Sequence, residues 1–561
     1  MPNPLLAALA VLALVPAAEA QTLFVDAGLA AGANDGSSWA DAYQGPQGLH
    51  AALAAAQPGT EIWLAQGRYT PSSTGDRCDH FAILHERVVI RGGFAGFEAS
   101  PIERPPVGDA RTLLTGDLSG DDDVSLTNGS DNSHLLVRVG APRVAFDRVD
   151  FVGGGEGVVA CGLGVGAAVW FDGNGRGLRM TDCSVERCYG FGVVASSVGA
   201  SYEVDVAGCR FRDVTDSALS VYSFNAPVTV ERCSFERCGT AFALGDEWLN
   251  GSIVRDSVVR DCGFGLYFYV YIFAATLAQV EGCTIVGCDE LGVVHVGGGA
   301  FGPPPGVTLR NSILVGNGAA VASGGQVSGF VYPTHSLIEG GGFGPTILDA
   351  DPMFVDRAGG DLRLLSGSPT IDRGTAAGYE DGDLDLDGRH RAVDVASVPN
   401  AGDNTRDYID LGAYEFTGSI GDNLGCSAEP NSTGLRGRLL ARGSAAAADN
   451  DLTIVGEHLP AGQFSMFLTS RLEGLVPMAG GPGTLCLGGA IGRFNRPGEI
   501  QAIGAAGTVG LPIDLTNVPQ PSSVVAAQPG ETWRFQLWHR DLDPGGATTN
   551  GFTGVVSVTL E

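Results

Sequence analysis

The sequence contains no lysine, so arginine supplies all 33 of its basic residues. Against 63 acidic residues this leaves a formal net charge of -30 at pH 7. Binding to the phosphates of nucleic acid requires a basic surface, so the composition argues against a nucleic-acid partner. Long apolar runs are also lacking after the first 20 residues, and no transmembrane segment is predicted.

The N-terminus carries the one extended apolar segment. Residues 5–18 read LLAALAVLALVPAA, and AEA precedes Gln21. A short apolar run followed by small residues is typical of a secretory signal peptide, here cleaved after Ala20, and it is too short to span a membrane. We therefore expect residues 1–20 to be removed and the protein to be exported, either extracellular or on the cell surface.

A repeat dominates the middle of the chain. The box Cys-x-x-x-x-Cys occurs at 183–188, 233–238 and 283–288, and alignment on its first position gives six copies at steps of 24 to 29 residues. Those first positions are Cys183, Cys209, Cys233, Ser257, Cys283 and Ser312. This period, with short β-type runs, predicts a β-solenoid in which each copy is one coil and equivalent residues stack about 4.8 Å apart.

Charged residues alternate in sign along two columns of this alignment. The first column is Glu186, Arg212, Glu236 and Arg260, and the second is Arg187, Asp213, Arg237 and Asp261. Opposite charges at strand spacing attract each other, so the stacked register predicts a ladder of ion pairs.

The cysteine columns have two interpretations. Buried free cysteine behaves as a small apolar residue, and serine, valine and asparagine replace it in other coils. Disulfides are the alternative, because export favours oxidation. Pairing within coils would leave Cys209 and Cys262 without partners, however, and pairing up a column would hold the Cβ atoms beyond the favoured separation of about 3.8 Å. The pattern favours a reduced ladder.

These repeats resemble right-handed parallel β-helix proteins of the pectin-lyase-like class, and the flanking segments resemble one exported bacterial branch of that class. The matching segments include FVDAG (24–28), LHAALAAAQPG (49–59), LTGDLSGDDD (114–123), DPMFVD (351–356) and DLGAYEF (410–416). The resemblance implies a β-helix over residues 22–416 with a short capping helix at 49–59. It implies little about activity, because the class holds lyases, hydrolases, adhesins and passive surface proteins.

Catalysis by this class would need residues that the sequence only partly supplies. Its hydrolases use a Gly-His-Gly turn and an Arg-x-Lys pair, and the sequence has neither. Its lyases use Ca²⁺ on acidic side chains and an arginine or lysine base. The residues that could take those roles are Arg212, Asp213, Arg260 and Asp261. The ion-pair ladder is the alternative explanation of the same residues.

An aromatic strand is a better candidate binding site. In GLYFYVYIF (265–273) the tyrosines share one face and the aliphatic residues share the other, which should be core. The predicted ligand-binding residues on this and neighbouring coils are Tyr222, Phe224, Trp248, Tyr267, Tyr269 and Tyr271. An exposed aromatic stripe suits stacking on sugar rings. The alternative is that a loop covers the tyrosines as a satellite core.

The segment DGDLDLDGRHRAVD (381–394) follows the spacing of a calcium loop. Its carboxylates at loop positions 1, 3, 5 and 12 are Asp383, Asp385, Asp387 and Asp394. Gly388 stands at the sharp turn, and Arg389 would offer its backbone carbonyl. We predict a structural Ca²⁺, with a solvated acidic turn as the alternative. A weaker acidic loop holds Asp117, Asp121, Asp122 and Asp123.

A second domain is expected after a polar linker at 417–425. Residues 426–561 show short strands between glycine and proline turns, which predicts an antiparallel β-sandwich. In residues 533–538, Trp533, Phe535 and Leu537 should face the core while the residues between them face a wetter side. Cys426 and Cys486 are the only cysteines of this exported domain, so we predict a disulfide between them.

The sequence thus predicts an exported, all-β, two-domain protein. Its expected role is non-catalytic, either binding polysaccharide or cell-surface glycan or serving as a structural or adhesive element. The alternative is a polysaccharide-degrading enzyme, a lyase rather than a hydrolase. An acid–base constellation on adjacent coils, inside a groove, would favour the enzyme.

Overall fold

The computed structural model describes residues 21–560 apart from short internal stretches. Those stretches are 109, 123–125, 156–160, 162–164, 173–176, 197–202, 224–226, 247–250, 271–277, 298–305, 321–324, 366–367, 381, 392, 394–397, 399, 402–407, 417–419, 425–427, 478–482, 506 and 543–545. The predicted signal peptide lies outside the described residues and stays a prediction. Among the described residues, no helix is long and apolar enough to cross a membrane.

Two parallel sheets account for most strands up to Leu348. One sheet has 12 strands, Thr22–Asp26, Tyr43–Gln44, Glu61–Ala65, Val89–Phe94, Val144–Asp147, Leu178–Thr181, Val204–Ala207, Val228–Glu231, Ile253–Arg255, Ala278–Glu281, Val307–Arg310 and Val331–Thr334. The other has 18 strands, Gly67–Tyr69, Phe81–Ile83, Thr112–Thr115, Leu135–Val139, Asp150–Val152, Ala167–Phe171, Ser184–Cys188, Phe191–Ser196, Arg210–Ser223, Ser234–Asp246, Val258–Arg260, Phe264–Val270, Thr284–Val286, Leu291–Val296, Ile313–Val315, Val327–Ser328, Ser336–Ile338 and Ile347–Leu348. The chain alternates between these sheets coil by coil, which confirms the predicted parallel β-helix.

The register between coils is the one that the repeat predicts. Glu186 pairs with Arg212, and Arg212 pairs with Glu236 on the next coil. Inside the coil, the rings of Phe211 and Phe235 stack with centroids 4.8 Å apart and planes 8° from parallel. Equivalent residues therefore lie one strand spacing apart, as expected of parallel coils.

The predicted ion-pair ladder is present on the outer surface. The guanidinium of Arg237 donates to both carboxylate oxygens of Asp213, at 2.7 and 3.0 Å. Arg212 lies 3.8 Å from Glu236, and Arg260 donates to the same carboxylate. Asp213 and Arg237 adopt left-handed backbone conformations at a coil corner, with φ of 56° and 52°. That conformation is unfavourable for residues with a Cβ, and the bidentate pair offsets its cost.

The cysteines of the columns are buried and are not disulfide-bonded. Eight cysteines are free and buried, namely Cys183, Cys188, Cys209, Cys233, Cys238, Cys262, Cys283 and Cys288. Their thiols donate to nearby carbonyl oxygens, for example Cys209 Sγ to Ala207 at 3.4 Å. Burial raises the pKa of the Cys188 thiol to about 12, so it stays protonated. The predicted reduced ladder is confirmed for these eight residues.

Cys78 and Cys161 lie outside the columns and are joined in a disulfide. Cys78 and Cys161 are bonded across 83 residues of sequence, with Cα atoms 5.5 Å apart. The sequence analysis did not predict this pair. A sequence feature that could have predicted it is that Cys78 and Cys161 belong to no repeated box. Cysteines outside the columns of an exported chain are free to form a disulfide.

The capping helix is shorter than predicted. It spans Gly48–Ala55, and Leu49, Ala52 and Leu53 face the core. The expected range extended to residue 59. Ala56 is already extended, and Pro58 disfavours a helical conformation in the residue before it, which ends the helix early. Among the described residues, short 3₁₀ helices occur at Pro101–Glu103, Gly129–Asp131 and Ala447–Asp449.

The described residues form two compact units. The first comprises Met1–Val280, Ile285–Thr308 and Leu314–Tyr332, and the second comprises Glu281–Thr284, Leu309–Ile313 and Pro333–Glu561. The predicted domain limits at 416 and 426 are not tested by this division and stay predictions.

The C-terminal strands of the second unit are antiparallel. Seven form one sheet, Asp422–Leu424, Phe464–Ser470, Gly492–Arg493, Gln501–Ala502, Thr532–Leu542, Thr548–Phe552 and Val555–Thr559. Three form another, Arg438–Gly443, Leu452–Glu457 and Val509–Ile513. The two-stranded pairs are Phe354–Asp356 with Asp361–Leu364, Leu472–Pro477 with Thr484–Gly488, and Val518–Pro519 with Val524–Val525.

The seven-stranded and three-stranded sheets share one core, which confirms the sandwich. Leu439 and Ile454 of the smaller sheet cluster with Trp533 and Phe535 of the larger one. The opposite face of the strand Thr532–Leu542 is less exposed to solvent than predicted, because Gln536 is fully buried. Its side-chain amide donates to Thr484 O and Thr553 O, both at 2.9 Å, and its oxygen accepts from Cys486 N. The neighbouring Leu472–Pro477 and Thr484–Gly488 pair covers that face.

The cysteine ladder generates a prediction about thiol number. Unfolded, unreduced protein should react with about eight thiol equivalents, and full reduction should raise this to all 12 cysteines. Titration with a chromogenic disulfide reagent in denaturant, with and without prior reduction, measures both numbers. Reaction of fewer than half of the eight column cysteines before reduction would contradict the ladder.

Candidate functional site

The tyrosine strand has the two faces that its sequence predicts. In Phe264–Val270, Leu266 and Phe268 are buried, whereas Tyr267 is half-buried and Tyr269 is exposed. The aromatic residues Tyr271, Phe224 and Trp248, predicted to extend the stripe, lie outside the described residues. Tyr222, on a preceding coil, is exposed as expected.

The register places Tyr222 and Tyr269 in one column with a glycine between them. Tyr222 pairs with Gly245, and Gly245 pairs with Tyr269 on the following coil. In the neighbouring outward column Ala243 pairs with Tyr267. The strand between the tyrosines therefore carries small residues on its outer face.

These residues line a cavity of about 420 Å³. Its described lining is Ser217, Tyr222, Thr240, Ala243, Leu244, Gly245, Phe264, Tyr267 and Tyr269. None of these nine residues is charged. Phe264 and Tyr267 meet edge to face with centroids 5.8 Å apart, which holds the aromatic wall in place. Aromatic faces with a few hydroxyl groups suit a polar ring that has one apolar face.

A second cavity, of about 360 Å³, is a charged groove beside the loop at 106–110. Its charged lining residues are Arg111, Arg148, Asp150, Asp182, Glu186, Arg210 and Arg212. The Arg111 guanidinium donates to Asp150 at 2.7 Å, and the Ser184 hydroxyl donates to the same carboxylate at 2.6 Å. Burial raises the pKa of the half-buried Asp182 carboxyl. The groove thus brings a carboxyl with acid character close to several arginines.

The groove includes one of the four residues considered as catalytic candidates. Arg212 lines the groove, 3.4 Å from the Asp213 carboxylate. Asp213 itself is buried against Arg237 in the ladder, and Arg260 and Asp261 do not line the groove. Sequence reasoning missed Asp182 as a candidate site residue because it lies one residue before the cysteine box, outside the aligned columns. Its left-handed backbone, with φ of 52°, becomes visible only in the fold.

The described carboxylates of the predicted calcium loop already have partners in the protein, namely main-chain N–H groups and an arginine. The Asp385 carboxylate is buried and accepts from Arg389 N at 2.7 Å and Glu415 N at 2.9 Å. The Asp383 carboxylate accepts from Glu380 N, and the Asp387 carboxylate lies 3.8 Å from the Arg389 guanidinium. The fourth predicted ligand, Asp394, lies outside the described residues, so the calcium site stays a prediction.

The weaker acidic loop gathers its carboxylates more closely. Oxygens of Asp117, Asp121 and Asp131 lie within 4.8 Å of one another, and Asp123 lies outside the described residues. Loop hydrogen bonds already use several of these atoms, since Asp117 accepts from Gly120 N and Asp131 accepts from Ser119 N. Asp122 instead accepts from Asn132 at 2.8 Å and from the Tyr189 hydroxyl at 2.9 Å.

The DLGAYEF segment (410–416) builds a buried carboxylate network. Asp410 and Glu415 are fully buried, and Asp410 accepts from Asp372 N at 2.8 Å and Phe416 N at 2.5 Å. Burial, with the neighbouring Asp372 carboxylate, raises the pKa of Asp410 to about 8. Burial, with the neighbouring Asp410 carboxylate, raises the pKa of Glu415 well above its usual range. Arg391 is the nearby cation, 3.8 Å from Glu415.

Only one cysteine of the predicted Cys426–Cys486 disulfide lies among the described residues. Cys486 is buried and disulfide-bonded. Cys426 lies outside the described residues, so the pairing stays a prediction.

Comparison with known proteins addresses the fold. Residues 165–332 match the family model described as the right handed beta helix region. The β-helix is right-handed. Among solved structures the chain is similar to a pectin methylesterase in complex with hexasaccharide VII, at 9% identity and a TM-score of 0.17. That similarity covers 54% of this chain and 75% of the esterase chain. No curated protein matches.

The buried carboxylate network predicts that the folding stability of this right-handed β-helix protein depends on pH. Because the folded pKa of Asp410 lies above its ordinary value of 3.8, its contribution to stability is complete below pH 3.8 and is lost as pH rises towards about 8. Asp410→Asn removes this titration. We expect the melting temperature of the variant to depend less on pH than that of the wild type across this window, measured by calorimetry.

Asp514→Asn is the matched control. Hydrogen bonds from Thr516 and Asn517 lower the pKa of the exposed Asp514 from 3.8 to about 2, so its carboxyl is almost fully ionised in both states above about pH 5. This variant should keep the wild-type pH slope. Equal slopes for Asp410→Asn and the wild type would contradict the assignment.

Proposed function

We propose that this protein is an exported β-helix protein that binds polysaccharide or cell-surface glycan without cleaving it. The observation that supports the proposal is the cavity walled by Tyr222, Tyr267 and Tyr269, whose described lining residues carry no charge. The N-terminal apolar run supports export to the cell surface or beyond.

The cavity offers both kinds of contact that a sugar needs. Tyrosine rings bury the apolar face of a pyranose, while hydroxyls of the wall accept and donate hydrogen bonds to its rim. Ser217 and Thr240 add hydroxyl groups at one end of the cavity. Because the tyrosines stand on main-chain-bonded strands, their positions are set before a ligand arrives, which lowers the entropic cost of binding.

Calcium enters this proposal as a structural ion. The spacing of residues 381–394 supports one place for it, and the converging oxygens of Asp117, Asp121 and Asp131 support another. Neither place lies among the described residues that line the tyrosine cavity.

The test of binding is Tyr269→Ala. Loss of the ring removes apolar contact worth about 1.5–3 kcal/mol when fully buried, so affinity for a bound glycan should fall about tenfold or more. Affinity electrophoresis through gels that contain soluble polysaccharides identifies the glycan, and calorimetry measures the change.

Tyr332→Ala is the matched control, because Tyr332 is also an exposed strand tyrosine but does not line the cavity. It should bind as the wild type does. If both variants bind alike, the tyrosine cavity is not the glycan site.

The charged groove supports a second candidate, a polysaccharide lyase. Arg212 would serve as the base, and Asp182, whose pKa burial raises, would hold or deliver a proton. Under our preferred proposal, residues 21–561 should release no new reducing ends from acidic or neutral polysaccharides, with calcium or with chelator. Turnover that Arg212→Ala abolishes and Arg260→Ala spares would establish the enzyme and place its site in the groove.

A further inference from the structure

Gly245 is notable in its strand because its backbone dihedral angle φ does not by itself require a glycine. It lies in the extended strand Ser234–Asp246 and is not among the residues with positive φ. Glycine weakens the interior of a strand, and it often marks a position that a ligand approaches closely. Its column reads Ser196, Tyr222, Gly245, Tyr269 and Val296.

The column places Gly245 between Tyr222 and Tyr269, and we call the space over Gly245 the slot. Tyr222 and Tyr269 stand on strands two spacings apart, about 9.6 Å, with side chains roughly perpendicular to the sheet. A ring placed between two aromatic faces needs about 3.5–4.0 Å on each side. The spacing therefore admits one saturated sugar ring, which is thicker than a planar one, and Gly245 leaves the base of the slot free of a side chain.

The charge of the cavity lining and the net charge of the chain indicate which class of sugar the cavity binds. None of the nine described residues that line the cavity is charged, so an anionic group would find no counter-ion among them. The chain as a whole carries a net charge of -30, which repels polymers of uronic acid or sulfated sugar. The hydroxyls of Ser217, Thr240 and Tyr267 suit the hydroxyl rim of a neutral sugar.

We propose that the cavity binds an uncharged glycan by inserting one pyranose ring between Tyr222 and Tyr269, over Gly245. This inference rests on the proposed glycan-binding function and narrows it to a ligand class and a binding geometry.

The test is Gly245→Val. The added side chain fills the base of the slot while leaving both tyrosines in place, and valine is favoured in extended strands, so folding should be retained. With hexasaccharides of neutral glucose, mannose and xylose polymers as probes, calorimetry should show at least a tenfold loss of affinity for whichever probe the wild type binds.

Gly510→Val is the matched control. Gly510 is an exposed strand glycine without positive φ, and a Cβ there would make only ordinary contacts, the nearest at 3.8 Å to Val455. This variant should bind as the wild type does, and the melting temperature of both variants checks that they fold.

Hexagalacturonate and salt separate the remaining outcomes. Neutral-glycan affinity should be unchanged between about 0.05 and 0.5 M salt, whereas an anionic ligand repelled by the protein would bind better as salt rises.

Wild-type binding of hexagalacturonate alone would overturn the neutral class but leave glycan binding standing. If Tyr269→Ala loses binding and Gly245→Val keeps it, the slot is wrong and the tyrosine platform remains. Absence of binding to every probe would overturn both proposals.

Discussion

Main-chain hydrogen bonds between successive coils hold equivalent residues one strand spacing apart, and the rest of the β-helix depends on that register. Inside the coils it stacks Phe211 on Phe235 at 4.8 Å. Outside, it brings Arg237 onto Asp213 as a bidentate pair. The same spacing suits buried thiols, because cysteines such as Cys209 and Cys262 donate to a carbonyl two residues earlier in the chain and form no disulfide within the column. One geometric constraint thus decides the core, the surface ladder and the chemistry of the cysteines.

Both candidate sites arise from departures from that regular stacking. At the tyrosine cavity two small residues, Ala243 and Gly245, lie on the strand next to Tyr267 and Tyr269. The charged groove exists because the loop at 106–110 lines one side of the outward-facing coil residues. The two sites differ in polarity, and this difference separates a neutral binding function from an acid–base one.

The second unit stabilises its structure in a different way. Asp410 and Glu415 are buried carboxylates that accept backbone hydrogen bonds, so they tie together segments of chain that form few regular strands. Such groups carry a desolvation cost that main-chain donors and Arg391 only partly offset, which is why their pKa values rise. The sandwich that follows relies instead on apolar packing around Trp533.

The sequence by itself determined the features that repeat. The coil period, the cysteine columns, the alternating charges of Glu186 to Arg260 and the two faces of the tyrosine strand follow from spacing alone, because neighbours in a parallel stack are equivalent positions in a repeat. Only the tertiary structure decided the features that do not repeat. The Cys78–Cys161 disulfide, the burial of Gln536 and the entry of Asp182 into a groove each join segments far apart in the chain. Periodicity carries no information about such contacts, since they depend on where loops and sheet faces meet after folding.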